Sequence, residues 1–511
     1  MPSSKAADRR VAVDSDDVRV VVGFGCNQAF IFSLFYLGMN RTLGSEPYVF
    51  ERADLFGVLL CMVLSLLVVR NTSPRACDAL LSTPLLWGFA ILIVVGSLAS
   101  ELLGDSTASV ILESVLVGFS SGVMMVAWGR AFDAHGVGSS LRDIFVSFAF
   151  AALVCLVVSA IPIDEVQLLL DFLPLGSALM LHQLRRPKKE DKGASGDASS
   201  TKVDKGKAAP VPLRIADLVA TKEQREQALR ISRKIIAGTV LFGVAAGFME
   251  TYASEPDMLA MPSFPATLII LFLFCLAAVQ IIDTGGFDEE EGAAVPSDRE
   301  TRLDSIYRLA IFVMMVGFLF VPMLGAFGVT GESIVLAGYL GLSCVLMCLF
   351  LLASRIHIQD AAQSFAYGFT ALYLGEMTGI LVGNVLEFVQ LSDSMPYAAT
   401  ACAGLAALFA YQFLFTERDF RDLTTIVGEV DRMDAACKQI TEEYGLSKRE
   451  AEILPLVLKG RSGERIGAEL YISKSTVDTH LRRIYSKTGT HGRQELIDLG
   501  ERTMRELAQK R

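Results

Sequence analysis

Charge is scarce in this sequence: only 20% of its 511 residues are Asp, Glu, Lys or Arg, against 52% hydrophobic. So little charge does not cover a single water-soluble core of this length, and a mean hydropathy of +0.45 points to many lipid-facing segments. The nine cysteines (26, 61, 77, 155, 275, 344, 348, 402 and 437) include no CxxC pair and no disulfide-framework spacing. Most lie in apolar runs, where cysteine acts as a small hydrophobe. Cys344 and Cys348 are one helical turn apart, which fits shared packing better than redox or metal chemistry. The five histidines form no HExxH and no Cys/His cluster, so no catalytic metal is expected. No nucleophile constellation and no phosphate loop emerges either, so neither an enzyme nor a cofactor is implied. The net charge of −10 excludes nucleic-acid attraction by the molecule as a whole and leaves it to a local patch.

What is present is a series of apolar runs. Residues 1–17 are polar, and no small-residue cleavage site follows the first run, which therefore reads as a span rather than a signal peptide. With about 20 apolar residues needed per helical crossing, candidates fall near 19–39, 54–69, 79–98, 108–129, 143–161, 165–184, 233–253, 264–282, 305–327, 332–353, 366–389 and 396–416. Of these twelve, the second is short and the sixth holds Asp171 and Pro174. Lys and Arg alternate across the loops in step with that count. Loops on the side of the N-terminus carry Arg70, Arg75, Arg130, Arg142, "RRPKKEDKG", Arg299, Arg302 and Arg355, whereas the opposite loops carry none after Arg41 and Arg52 in the first. The positive-inside rule then places both chain ends in the cytoplasm, in a multi-pass protein of a bacterial inner membrane.

The longest connection, 185–232, separates six spans (18–184) from six (233–416), and "DKGASGDASSTKVDKGKAAPVP" has a flexible-linker composition. This layout resembles the major facilitator fold over roughly residues 19–416. The resemblance is one of topology: the loop between spans two and three, "RNTSPRACD", lacks that family's Gly-rich signature. It implies architecture and not transport.

Past the last span, residues 417–443 read as a connecting helix. Leu423, Val430 and Cys437 repeat every seven residues, as do Ile426, Met433 and Ile440, for about two and a half heptads interrupted by Gly428. Either a dimerising helix or a helix packed on its own membrane domain fits this pattern.

From residue 444 the character changes again. Ser447 and Glu450 form a capping box, Ile453, Leu454, Val457 and Leu458 trace an apolar stripe, and Gly460 supplies a left-handed stop. Pro455 inside this helix should kink it. A second helix at about 463–470 buries Ile466 and Leu470. Ser473 caps a third, which turns Val477, Leu481 and Ile484 inward and Lys474, Thr476, Thr479, Arg482 and Arg483 outward, with Lys487 at its end. Short helices with a tight turn before the last describe a helix-turn-helix, and the basic helix has the size and polarity for a major groove. Between Ser473 and Arg493 five Lys or Arg face one Asp, a local reversal in an acidic chain.

"LSKREAEIL", "GRSGERIGAELYIS" and "STVDTHLRRIYSKTG", followed by the helix beginning at Arg493, resemble the LuxR-type (GerE-like) regulators over about 60 residues. The resemblance implies that side chains at Asp478, Thr479 and Arg482 read bases, Arg482 a guanine, while Lys474, Ser475, Thr476 and Arg483 hold phosphates. Asp478 departs from the family, which usually has Lys there, so base preference or affinity is altered. The outward charge of Lys487 adds it to the same face.

Three acidic residues fall within spans: Glu376 in mid-span, with Glu113 and Glu250 nearer the outer ends. Each is either a proton or ligand site or a carboxyl satisfied by neighbouring helices. Gly375, Gly379 and Gly383, four residues apart, favour close helix packing.

The expected protein is all-α: a polytopic bundle of about twelve spans followed by a small helix-turn-helix domain at 444–511. Its expected role is that of a one-component regulator sensing a small-molecule or ionic signal in the bilayer and binding double-stranded promoter DNA as a homodimer. The alternative is a transporter with a regulatory DNA-binding tail.

Overall fold

A computed structural model describes residues 15–510 except 39, 46–47, 105, 136, 162–167, 186–221, 253–262, 284–297, 325–329, 357–359, 390–394, 415 and 471. The chain forms two compact units, one built from residues 1–184, 226–355 and 359–425, the other from 185–225, 356–358 and 426–511.

Among the described residues of the first unit, nine helices are long and apolar enough to cross a membrane. The expected third span is a bent pair, Pro74–Leu80 and Thr83–Ala99, meeting at 55°, and counting it as one gives ten. The break is local chemistry: Ser82, in extended backbone at the N-cap position, precedes a new helix whose first turn holds Pro84, and a proline there cannot donate back to the preceding turn. The expected sixth and twelfth spans correspond to shorter apolar helices, Leu168–Leu184 and Thr400–Gln412. Among the described residues, each of the twelve apolar segments is largely helical, the third with a break, though only nine or ten meet the length of a crossing. Much of the expected linker, 186–221, lies outside the described residues. Its last part is helical, because the seventh span begins in a helix at Lys222–Tyr252.

The all-α expectation has one small exception: Leu43–Ser45 pairs antiparallel with Tyr48–Phe50, placing Leu43 opposite Phe50. Just after this hairpin, Arg52 adopts a left-handed φ of 56°, costly for a side-chain-bearing residue. Its backbone N–H is held by Asn40 Oδ1 at 2.9 Å. Asn384 Oδ1 accepts from the Glu51 N–H at 2.7 Å. Arg41 and Arg52, the two arginines that interrupt the loop-charge alternation, are not solvated loop charges. Arg41 pairs with Glu113 at 3.0 Å, and Arg52 is 1% exposed.

Aromatic packing fills the first half of this unit. Phe24 meets Phe132 edge-on at 4.9 Å and Trp128 at 5.7 Å, and the Trp128 indole N–H donates to Ser177 Oγ at 2.8 Å, so the one polar atom of that ring is satisfied. Cys344 and Cys348 are fully buried, which fits packing.

The second unit has its own core. Ile453, Leu454, Leu456, Val457, Ile466, Val477, Ile484 and Leu496 converge in it from four helices, Lys448–Leu458, Gly463–Leu470, Lys474–Thr488 and Arg493–Lys510. Cys437 and Ile440, from the end of the Glu417–Glu443 helix, are buried in the same core, with Met433 packed against it. That half of the heptad pattern thus serves the domain's own interior, an arrangement neither sequence reading anticipated. The side chains of Leu423, Ile426 and Val430 lie outside the described residues. Burial pushes the Cys437 thiol up to about 12, so it behaves as an inert hydrophobe.

Candidate functional site

In the C-terminal unit, local signals set the position of the basic helix. Ser447 N–H donates to Glu450 Oε2 at 2.8 Å, closing the capping box at the first helix. That helix runs three residues beyond the buried Pro455 rather than ending there, because its apolar face is held in the core. Gly460 takes φ +72°, which ends the turn as expected. Ser473 Oγ accepts from the Thr476 N–H at 3.1 Å, and Gly489 closes the C-terminus at φ +68°. The helix Lys474–Thr488 thereby buries Val477, Leu481 and Ile484 and exposes Lys474, Ser475, Thr476, Asp478, Thr479, Arg482 and Arg483 on the opposite side.

The cations of this region are not equivalent. Arg482 and Arg483 are exposed, with no ion pair among the described residues. Lys474 Nζ contacts Glu464 Oε1 at 3.0 Å, and that hydrogen bond raises the lysine above its ordinary range. Both groups are solvated, so the pair is weak and open to exchange. Thr479 Oγ1 donates to the Ser475 carbonyl at 2.9 Å and keeps its acceptor lone pairs outward. Asp478 lies one turn before Arg482 on the same face. Lys487 differs from the others, since its ammonium reaches Glu450 Oε2 at 2.7 Å and the Gly445 carbonyl at 2.9 Å. These contacts tie it to the start of the first helix. Arg493 likewise donates to the Arg461 carbonyl.

Residues 444–499 match the sequence profile of the family described as bacterial regulatory proteins, luxR family (GerE). This segment is a LuxR-type helix-turn-helix domain. Over 82 residues the chain is 35% identical to the oxygen regulatory protein NreC of Staphylococcus aureus (strain JH9), a match covering 16% of this chain and 38% of that protein. NreC of strain USA300 matches to the same extent, 35% over 82 residues and 38% of its length. The chain thus spans well under half the length of these curated relatives. The membrane unit has a different likeness, to the human organic anion transporter MFSD10 (TETRAN), with a TM-score of 0.50 and 11% identity over 79% of this chain and 100% of that one. At that identity the likeness is one of fold, a major-facilitator-like bundle in a multi-pass membrane protein.

Within that bundle, the three acidic candidates part company. Glu113 forms the ion pair with Arg41 and is partly exposed. Glu250 and Glu376, by contrast, are each 1% exposed and interact with each other. Helix packing brings them together. A Cβ on Gly247 would stand 2.0 Å from the Glu376 carbonyl oxygen, and one on Gly379 would stand 2.3 Å from that of Val244. Gly243 and Gly375 make the same kind of approach, so the seventh and eleventh spans touch backbone to backbone through glycine at four-residue spacing on both sides.

Tyr36 Oη donates to Glu250 Oε1 at 3.0 Å, and Tyr339 Oη donates to Glu376 Oε2 at 3.0 Å. Among the described residues, the remaining oxygens, Glu250 Oε2 and Glu376 Oε1, have no donor, and Nε and Nη1 of the buried Arg52 find no acceptor. Arg52, whose positive charge acts on both carboxyls, instead donates through Nη2 to the Phe35 carbonyl. One guanidinium cannot neutralise two ionised carboxylates, and two like charges in an apolar interior repel strongly. The arrangement therefore suits a shared proton or a small cation. Tyr36, Arg52 and Tyr339 escaped the sequence reading. Their signal was a phenol or guanidinium within or beside an apolar run, which by itself names no partner.

Proposed function

We propose that this protein is a membrane-anchored, one-component transcription regulator, in which the bundle senses a signal and the LuxR-type domain binds promoter DNA. The observation that carries this reading is the union on one chain of a major-facilitator-like bundle with a helix-turn-helix whose exposed face presents Lys474, Ser475, Thr476, Thr479, Arg482 and Arg483. Arg482 is the base reader, and Asp478 beside it turns preference toward a cytosine amino group, since a carboxylate accepts there and repels phosphate. The alternation of Lys and Arg across the loops supports a bacterial inner membrane with both ends cytoplasmic, where DNA is within reach. Two copies on a two-fold site, half-sites about one helical turn apart, give the bound form.

Genome-wide mapping of the full-length protein on chromosomal DNA, with and without candidate signals, tests this directly. Enriched promoter sites that vanish in a chain lacking residues 444–511 support it, and a chain that enriches no site under any condition refutes it.

The Glu250–Glu376 pair with its tyrosines is the place where the bundle receives a proton or cationic ligand. In that role Glu376→Gln changes the response to the signal and leaves DNA affinity as it was. The same buried pair also favours a second reading, a transporter with a regulatory tail. Substrate flux in reconstituted vesicles that is lost on Glu376→Gln while promoter occupancy no longer depends on any signal decides for the transporter.

A further inference from the structure

The first, fourth and fifth spans bring together three residues that the sequence keeps far apart. Asp17 lies in the first turn of Ser15–Phe32, His135 ends the helix Phe119–His135, and Asp143 lies in the first turns of Val137–Ser159. His135 Nε2 is 2.8 Å from Asp17 Oδ1 and 3.6 Å from Asp143 Oδ2, and the three groups offer ligand atoms all within 4.8 Å of one another. Asp143 is 94% buried, and its Oδ2, directed at the imidazole, has no hydrogen-bond donor among the described residues.

From this geometry we infer that Asp17, His135 and Asp143 form a binding site for a divalent first-row transition-metal ion. Around such an ion, with ligands at about 2.0–2.2 Å, neighbouring ligand atoms stand about 3.0–3.4 Å apart in octahedral or tetrahedral geometry. The separations of 2.8 and 3.6 Å bracket that spacing, and with all three ligand atoms within 4.8 Å of one another, side-chain rotation brings the set around one ion. Two carboxylates and one imidazole are borderline ligands. The nitrogen selects against Mg2+ and Ca2+, and the absence of a thiolate selects against soft ions, which leaves Mn2+, Fe2+ and Zn2+. Of the flanking arginines, Arg19 pairs with Asp16 at 2.6 Å, and Arg142, whose charge reaches Asp143 only through space, pairs with Asp283 at 3.5 Å. The sequence reading, which found no Cys/His cluster and expected no catalytic metal, did not bring these three residues together. A His–Asp–Asp set assembled from three helices has no sequence spacing to betray it.

The test uses the full-length, tag-free protein in detergent, titrated with Mn2+ and followed by electron paramagnetic resonance, with Zn2+ as competitor. The expected result is one Mn2+ per chain, displaced by Zn2+, with nitrogen hyperfine coupling from a single imidazole. Loss of an outer-shell partner alone costs metal sites about 10–100-fold, so His135→Gln and Asp143→Asn each weaken binding at least about tenfold. Glu501→Gln, at a solvent-exposed carboxylate of the other unit, is the control and leaves the titration unchanged. Asp17 has a side chain 37% exposed in a first helical turn, so Asp17→Asn keeps the fold and gives the decisive reading should the buried variants misfold. No saturable Mn2+, no nitrogen coupling, or equal affinity in Asp17→Asn overturns the inference.

Discussion

Buried carboxylates are handled differently in the two units, and the contrast separates scaffold from site. In the DNA-binding domain, Glu450 has a side chain 3% exposed, and Oε2 accepts from the Ser447 N–H and from the Lys487 ammonium. In the membrane unit, Glu250 and Glu376 each accept one tyrosine hydroxyl and leave the other oxygen without a donor. A buried carboxylate answered by a cap and a cation holds helices in place. A buried pair left short of donors has electrostatic work outstanding, and it is such groups that respond to a proton or ligand.

The largest effect comes from removing what brings the membrane pair together. Gly247→Leu sets a side chain where even a Cβ would be 2.0 Å from a backbone oxygen. It should destabilise the membrane unit by more than about 4 kcal/mol, seen as loss of the monodisperse detergent peak. If that variant folds, the backbone contact is not what positions the carboxyls.

Glu450→Ala should cost the DNA-binding domain about 2–3 kcal/mol, from the lost cap and an ion pair discounted for the exposure of Lys487, read as a lowered Tm. Burial pushes Glu450 upward, but Lys487 and Ser447 outweigh it and hold the carboxyl below its ordinary 4.5. Its contribution is therefore complete above that value and drains away as pH falls through the lower native one. Glu450→Gln should flatten that acid limb, and an unchanged limb means another carboxylate governs it.

Arg482→Ala should weaken specific DNA binding by about 1–3 kcal/mol and relax preference at one base position. An unaltered binding profile would remove it as a base reader. The smallest effect separates two lysines of one helix. Lys474→Ala should cost under about 1 kcal/mol on every duplex and lower the salt slope by about 1. Lys487→Ala should instead lower Tm and leave the slope alone, because its ammonium already serves Glu450 and Gly445. A changed slope would return Lys487 to the phosphate contacts.

Much of this was legible beforehand, for identifiable reasons. The apolar runs, the capping residues Ser447 and Ser473, the left-handed Gly460 and the inward triplet Val477, Leu481 and Ile484 are signals confined to a few turns of chain, and local signals survive in sequence. The bend at Ser82 and the hairpin before Arg52 were missed even though Pro84 stood in plain view, because a long apolar run outweighed it. The glycines at 375 and 379 read as packing residues, yet their partners Gly243 and Gly247 went unmatched. Periodicity marks a face and says nothing of which helix will meet it.

The sequence by itself determined that this chain is a multi-pass helical membrane protein with a basic helix-turn-helix appended, because hydropathy over 20 residues and helix-capping chemistry act within one segment. Tertiary structure alone decided which charges are answered. Tyr36 meets Glu250 across 214 residues, His135 meets Asp17 across 118, and Lys487 turns from the groove-facing surface to Glu450 across 37. Electrostatic pairing depends on distance through space and on exclusion of water, and neither is written along the chain.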